Sequence, residues 1–283
     1  MTFEPQSRHA REPSHYRNLC TCLVALAAQS SDERLEWNKP VEPFRVIGHV
    51  YYVGAAGVSA FLITSPSGAI LLDGGLPETA PQIIANVAKL GFKFGDVRYL
   101  LNSHAHFDHA GGLAELKKAS GATVIASAGD AAALRTGAAG IPAVAVDRII
   151  GDRETVSLGE TRLEAVITPG HTKGCTTWTM TTKEGERWLR VVFYCSTSVV
   201  APLVGNADYP TIVVDYERSF RTLRELDADV FLANHPSFFD LHRKRKQMTA
   251  GGVNPFVGGD ELQKCVAASE RDFRAALAKQ RGK

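Results

Sequence analysis

The stretch "NSHAHFDHAGG", Asn102 to Gly112, places His104, His106, Asp108 and His109 within six residues, directly after the apolar run "RYLLNS". It holds three of the chain's nine histidines, so the crowding calls for a chemical reason. His104 and His106 lie two apart after a strand, and in extended geometry their imidazoles leave the same face and can converge on one ion. Neutral imidazole is a preferred zinc ligand. Asp108 and His109 follow where Gly111 and Gly112 let the chain turn toward a helix, so they can point at a second position a few ångströms away. Unpaired buried imidazoles beside a carboxylate would be costly without an ion. The motif therefore suggests a pair of metals.

Such a site needs donors from distant segments, and two histidines stand in matching context: His171 in "VITPGHTKG" and His235 in "VFLANHPSF". Each ends a predicted strand beside Pro or Gly, and ligand sites in α/β architectures gather at strand ends. His9, His15, His49 and His242 lack that setting. Other chemistries are missing: there is no Gly-x-Ser-x-Gly elbow and no phosphate loop, and Cys20-Thr21-Cys22 lacks zinc-finger spacing. The basic run "HRKRK", His242 to Lys246, reads as a solvated face. Trp37, Trp178 and Trp188 read as core or rim packing.

The elements that must position these residues begin at Phe44. "FRVIGHVYYVG", "VSAFLITSPSG" and "AILLDGG" read as a three-stranded antiparallel meander, and "TAPQIIANVAKLGF" as an amphipathic helix on Ile83, Ile84, Val87 and Leu90. The strand "VRYLLNS", the helix "GGLAELKKAS", the strand "ATVIAS" and the short helix "AGDAAALRTG" follow, then the loop "AAGIPAVAVDR". The second half repeats the plan: strands "ETVSLG", "TRLEAVITPG", "CTTWTMTTKEG" and "RWLRVVFYCS", the helix "YERSFRTLRELDA", the strand "DVFLANH" and a closing helix from "DELQK". No low-complexity linker separates the halves, so they are expected to pack as two sheets of one domain over 41–283, after an N-terminal segment 1–40.

Composition limits the partners. Lys+Arg 32 against Asp+Glu 30 gives no charge imbalance that argues for nucleic acid or a membrane surface, so the partner is expected to be a small molecule. "LCTCLVALAA", Leu19 to Ala28, is too short to span a bilayer; it reads either as the core of a secretory signal or as a packed helix. Five cysteines, Cys20, Cys22, Cys175, Cys195 and Cys265, argue against a disulfide framework and allow one or two incidental bridges.

His-x-His-x-Asp-His after a strand, then "PGHT" and a late strand-end histidine, resembles the metallo-β-lactamase superfamily, from about Phe44 to the C-terminal helix. The resemblance implies an α/β fold, an αββα sandwich of two mixed β-sheets packed face to face with helices outside. Glyoxalase II-like and lactonase-like members carry a metal-bridging aspartate where this chain reads "VVFYCSTSVV", without an acid. "PGHTKGCTTWTM", "PVEPFRVIGHVYYVG" and "NPFVGGDEL", with Asp108-His109 retained, are similar to subclass B3.

Carried over, the resemblance implies one Zn2+ on His104, His106 and His171 and a second on Asp108, His109 and His235, with Asp108 orienting a water activated between them. Ser196, Thr197 or Ser198 would hydrogen-bond a substrate carboxylate. Asp73 in "LLDGG" would accept the other N–H of a ligand histidine, or is a simple turn residue. Cys195 is either a further ligand or a buried thiol. The implied activity is hydrolysis of penicillins, cephalosporins and carbapenems, with antibiotic resistance and a periplasmic location. The alternatives are a lactone, ester or thioester hydrolase on the same fold, or a non-catalytic zinc-binding protein. The loop "RTGAAGIPAVAVDR" is shorter than the corresponding wall in several relatives, and the C-terminal cysteine pair of many members is missing, with Ala228 in "LDADVF".

Overall fold

Glycine and strand alternation decide the architecture. In the computed structural model, which describes residues 31–248 and 252–282, they resolve into two mixed sheets. Ahead of them lies α1 (Ser31–Trp37). The first sheet holds seven strands in chain order: β1 (Phe44–Ile47), β2 (Val50–Tyr52), β3 (Phe61–Ser65), β4 (Gly68–Leu72), β5 (Val97–Leu101), β6 (Thr123–Ser127) and β7 (Arg148–Ile150). β1 to β4 are antiparallel, and β4 to β7 run parallel. Parallel neighbours need crossovers. These are α2 (Ala80–Lys89), then α3 (Phe107–Ala110) with α4 (Leu113–Ser120), then α5 (Ala128–Thr136).

The second sheet runs β12-β11-β10-β9-β8, from β8 (Thr155–Leu158), β9 (Thr161–Ile167), β10 (Thr176–Glu184), β11 (Arg187–Tyr194) and β12 (Val230–Ala233). α6 (Ile212–Arg224) supplies the crossover to β12, the one parallel partner of this sheet. α7 (Leu241–Gln247) and α8 (Glu261–Arg281) close the chain.

Side-chain alternation sorts the core into two layers. Phe61, Ile63, Ile70, Leu72 and Leu101 of the first sheet face Leu163, Ala165, Trp178 and Val191 of the second. Leu62, Leu71 and Leu100 point the other way, onto Ile83 and Val87 of α2 and Leu113 and Leu116 of α4. Burial on both faces explains why "AILL" and "YLL" carry no polar alternation.

Three sequence readings need correction. "FRVIGHVYYVG" is two antiparallel strands, because Gly48 turns at φ +48°, where a Cβ would lie 2.1 Å from Thr182 Oγ1. Arg148, placed at the end of a loop, begins β7. The "HRKRK" run is not a solvated face throughout: Lys244 is buried in an ion pair with Glu261, and the Arg245 guanidinium lies 4.6 Å from the Phe44 ring centroid. The leader "LCTCLVALAA" lies outside the described residues. Among the described residues no helix is long and apolar enough to cross a membrane.

Candidate metal centre

One edge of the sandwich collects the chemistry, because β4, β5, β9, β11 and β12 all end there. Asp73 follows β4, His104 follows β5, His171 lies past β9, Cys195 follows β11 and His235 lies past β12. His106 is still extended, at φ −105° and ψ 154°, and α3 starts immediately after it. That switch from strand to helix turns Asp108 and His109 away from the direction of His104 and His106.

The result is two groups of three donors. The ring centroids of His104, His106 and His171 are 4.7 Å apart in every pairing, and their ligating atoms lie within 4.8 Å of one another. In the second group, His109 Nε2 is 3.1 Å from His235 Nε2, and Asp108 Oδ2 is 3.2 and 3.4 Å from those two nitrogens. The groups adjoin, with His104 and His109 centroids 4.5 Å apart.

The far sides of the rings are held by acceptors. His171 Nδ1 lies 2.8 Å from the Ser198 carbonyl and His235 Nδ1 lies 2.9 Å from the Gly57 carbonyl. A carbonyl only accepts, so each Nδ1 carries the proton and each Nε2 keeps a lone pair for a cation. His104 Nδ1 faces Ser103 Oγ at 3.1 Å and the Asn234 amide at 3.5 Å. Among the described residues, His104 Nε2 and Asn234 Oδ1 are buried without a hydrogen-bond partner. An unpaired buried nitrogen in a pocket of imidazoles is expensive unless an ion occupies the lone pair. The donor set fits a metal.

Electrostatics agree. Burial, reinforced by neighbouring histidines, holds His104 and His171 well below the ordinary imidazole range and takes His106 down to about 4. For Asp108, burial alone would raise the carboxyl, but His109 and His235 outweigh it and keep the group ionised. A pH dependence of the metal-free protein follows. An imidazole whose folded pKa lies below its unfolded value of about 6.5 binds fewer protons folded than unfolded between the two. The contribution of His104, His106 and His171 is therefore full above about pH 6.5 and falls as pH drops toward 4, a loss that His109 and Asp73, whose folded pKa values are raised, offset only in part. Thermal unfolding in excess chelator should show that decline, and a midpoint constant from pH 7 to 4 would contradict the neutral-imidazole assignment.

Residues that the sequence reading passed over hold the site together. Asp130, in the first turn of α5, accepts from Ala105 N at 2.9 Å, Thr172 Oγ1 at 2.8 Å and Gly174 N at 3.0 Å. One buried carboxylate thus ties the His104–His106 loop to the His171 loop. Ser127, at the N-cap of α5, makes no cap bond and donates instead to the Gly174 carbonyl. Trp37 of α1 packs edge-on against His235 at 5.2 Å and accepts from Gly57 N through its carbonyl, so α1 supports the loop that orients His235. Trp178 is core, with Nε1 donating to the Asn102 carbonyl, and Trp188 is exposed.

The remaining expectations divide. Asp73, at φ +65°, accepts from Ser103 N at 2.7 Å through Oδ1 and faces His109 Nδ1 at 4.0 Å through Oδ2. Burial pushes its carboxyl up to about 6. Ser196 and Thr197 are buried, with Thr197 Oγ1 on the Tyr194 hydroxyl, and Ser198 is partly exposed. Cys195 is neither a free thiol nor a member of the Asp108 group: it is bridged to Cys175.

Comparison with known proteins places this geometry. The family model described as the metallo-beta-lactamase superfamily matches residues 53–235. A subclass B3 metallo-β-lactamase of Bradyrhizobium japonicum is 40% identical, with 87% of this chain and 97% of that one covered at a TM-score of 0.84. A metallo-β-lactamase from Legionella gormanii is 37% identical, covering 86% and 98% at 0.83. A hydroxyacylglutathione hydrolase of Rhodospirillum rubrum is 34% identical over 98 residues, 35% of this chain and 34% of that protein. The chain thus matches about a third of that relative's length. A probable metallo-hydrolase of Burkholderia pseudomallei is 34% identical over 161 residues, 52% of each.

Proposed function

The chain belongs to the metallo-β-lactamase superfamily of metal-dependent hydrolases, and from that premise we propose that it hydrolyses the amide bond of β-lactams with two zinc ions. The observation that carries the reading is the extent of likeness. Two β-lactamase structures superpose on 86–87% of this chain and 97–98% of their own at 37–40% identity, while the sequence match to the hydroxyacylglutathione hydrolase covers 35% of this chain. The end of β11 supports the same side, since it presents a bridged cysteine and no carboxylate.

His104, His106 and His171 would hold one ion and Asp108, His109 and His235 the other. A bound zinc pair supplies Lewis acidity and lowers the pKa of water toward about 7. The protein supplies the rest. Ser198 O and Gly57 O fix the tautomers of His171 and His235, so both rings meet the reacting centre through Nε2. Asp108, kept ionised beside His109 and His235, would orient the attacking water through a carboxylate oxygen. Ser198, partly exposed beside His171, would donate from its hydroxyl to the substrate carboxylate. Phe107 and Trp37 pack around Ala55, Val58 and Leu76 to form an apolar wall beside the second group.

A second reading, thioester hydrolysis, is favoured by the curated relatives. Parallel kcat/KM measurements on a cephalosporin, a penicillin, a carbapenem and a glutathione thioester separate the two. The proposal expects the β-lactams to be preferred at least about 100-fold, and preference for the thioester would replace it. Antibiotic resistance and a periplasmic location come with the same proposal. Drug susceptibility of a host expressing the full chain, with osmotic-shock fractionation, tests both, and enzyme confined to the spheroplasts would reject the location.

A further inference from the structure

Beneath the first histidine group lies a second cluster of metal-type donors. Cys175 and Cys195 are joined in a disulfide, both fully buried, and Cys195 Sγ lies 3.7 Å from His104 Nδ1. The two sulfurs and a His104 nitrogen lie within 4.8 Å of one another. The backbone oxygens of Ser103 and Ser196 stand 3.4 Å from Cys195 Sγ and Cys175 Sγ respectively. Carbonyl oxygens facing two buried sulfurs repel a bare thiolate pair and favour a cation between them. The Asn234 amide touches the same histidine nitrogen at 3.5 Å, and its oxygen has no hydrogen bond among the described residues. Turning the amide by 180° offers that oxygen as a further ligand.

We propose that Cys175, Cys195 and His104 Nδ1 form a latent, redox-gated site for a thiophilic divalent cation, closed while the disulfide stands and opened by reduction. With a phosphine reductant, one phosphine and one water convert the disulfide into two thiols and leave one phosphine oxide. Phosphorus gives up two electrons and takes the oxygen of water, the S–S bond breaks, and both protons of the water go to sulfur. Binding a divalent cation then releases those two protons to buffer and forms two metal–thiolate bonds. A neutral imidazole has one lone pair, so a cation held at Nδ1 withdraws His104 from the first histidine group, and the two sites compete. The proposal concerns the sulfur chemistry and stands whether the substrate is a β-lactam or a thioester.

The test uses the full-length protein, treated with a water-soluble phosphine, freed of reagent and titrated with Co2+. Reduced protein is expected to develop a near-ultraviolet sulfur-to-cobalt charge-transfer band that unreduced protein with the same Co2+ lacks. Iodoacetamide labelling with peptide mapping provides the location: Co2+ should protect Cys175 and Cys195 at least about tenfold, and C195S should lose the band. No band, or equal labelling of both cysteines with and without Co2+, in protein shown by mass to have the bridge open, overturns the proposal. A bridge that resists phosphine in the folded protein, or a band that persists in C195S, overturns it as well.

Discussion

Asp108→Asn should lower kcat/KM on a cephalosporin by about 10³-fold, worth roughly 4 kcal/mol of transition-state stabilisation, while leaving the fold intact. The substitution keeps the shape of the side chain and removes its charge. Asp108 Oδ2 sits 3.2 Å from His109 Nε2 and 3.4 Å from His235 Nε2, so it is the one anionic donor in either group. An amide there offers a weaker ligand and, in half of its orientations, an N–H aimed at the ion. Metal analysis by mass spectrometry should find the second zinc depleted and the first retained. Undiminished turnover with two zincs bound would remove Asp108 from the chemistry.

Asp130→Ala should act at a distance, weakening metal binding about 10- to 100-fold without touching a donor. Its carboxylate accepts from Ala105 N, between His104 and His106, and from Thr172 and Gly174, which flank His171 on its C-terminal side. Alanine leaves those donors without their shared acceptor in a buried setting. Each orphaned group costs about 1–3 kcal/mol, so a stability loss of about 3 kcal/mol is expected by urea denaturation. Asp130→Asn keeps one acceptor oxygen and should fall between the two. Zinc affinity by competition with a chromophoric chelator checks the claim, and an unchanged affinity in Asp130→Ala would show that the two loops hold their own positions.

Particular residues show what was legible in the sequence. The donors were visible because His104, His106, Asp108 and His109 carry their geometry in their spacing, and because His171 and His235 each stand beside a strand end. The sheets were visible through apolar runs buried on both faces. Asp130 was hidden because "SAGD" at the start of a helix reads as ordinary capping, whereas both Ser127 and Asp130 are spent on the neighbouring loop. Trp37 was hidden because no local pattern tells a rim tryptophan from one packed on a histidine far along the chain, a contact made only when β12 returns beside β11. The same return from distant chain brings Lys244 to Glu261 and turns a basic run into a buried ion pair. Cys175 and Cys195, 20 residues apart, meet because β10 and β11 are antiparallel neighbours, which their spacing alone does not declare.

The central claim, zinc-dependent β-lactam hydrolysis at the edge of the sandwich, is met most directly by one measurement. Purified protein is assayed on a chromogenic cephalosporin and a carbapenem as isolated, after chelation, and after zinc is returned in steps. The account predicts turnover of both, lost on chelation and regained with zinc up to two equivalents per chain. Turnover that ignores the chelator, or none from a protein shown to hold two zincs, would contradict it.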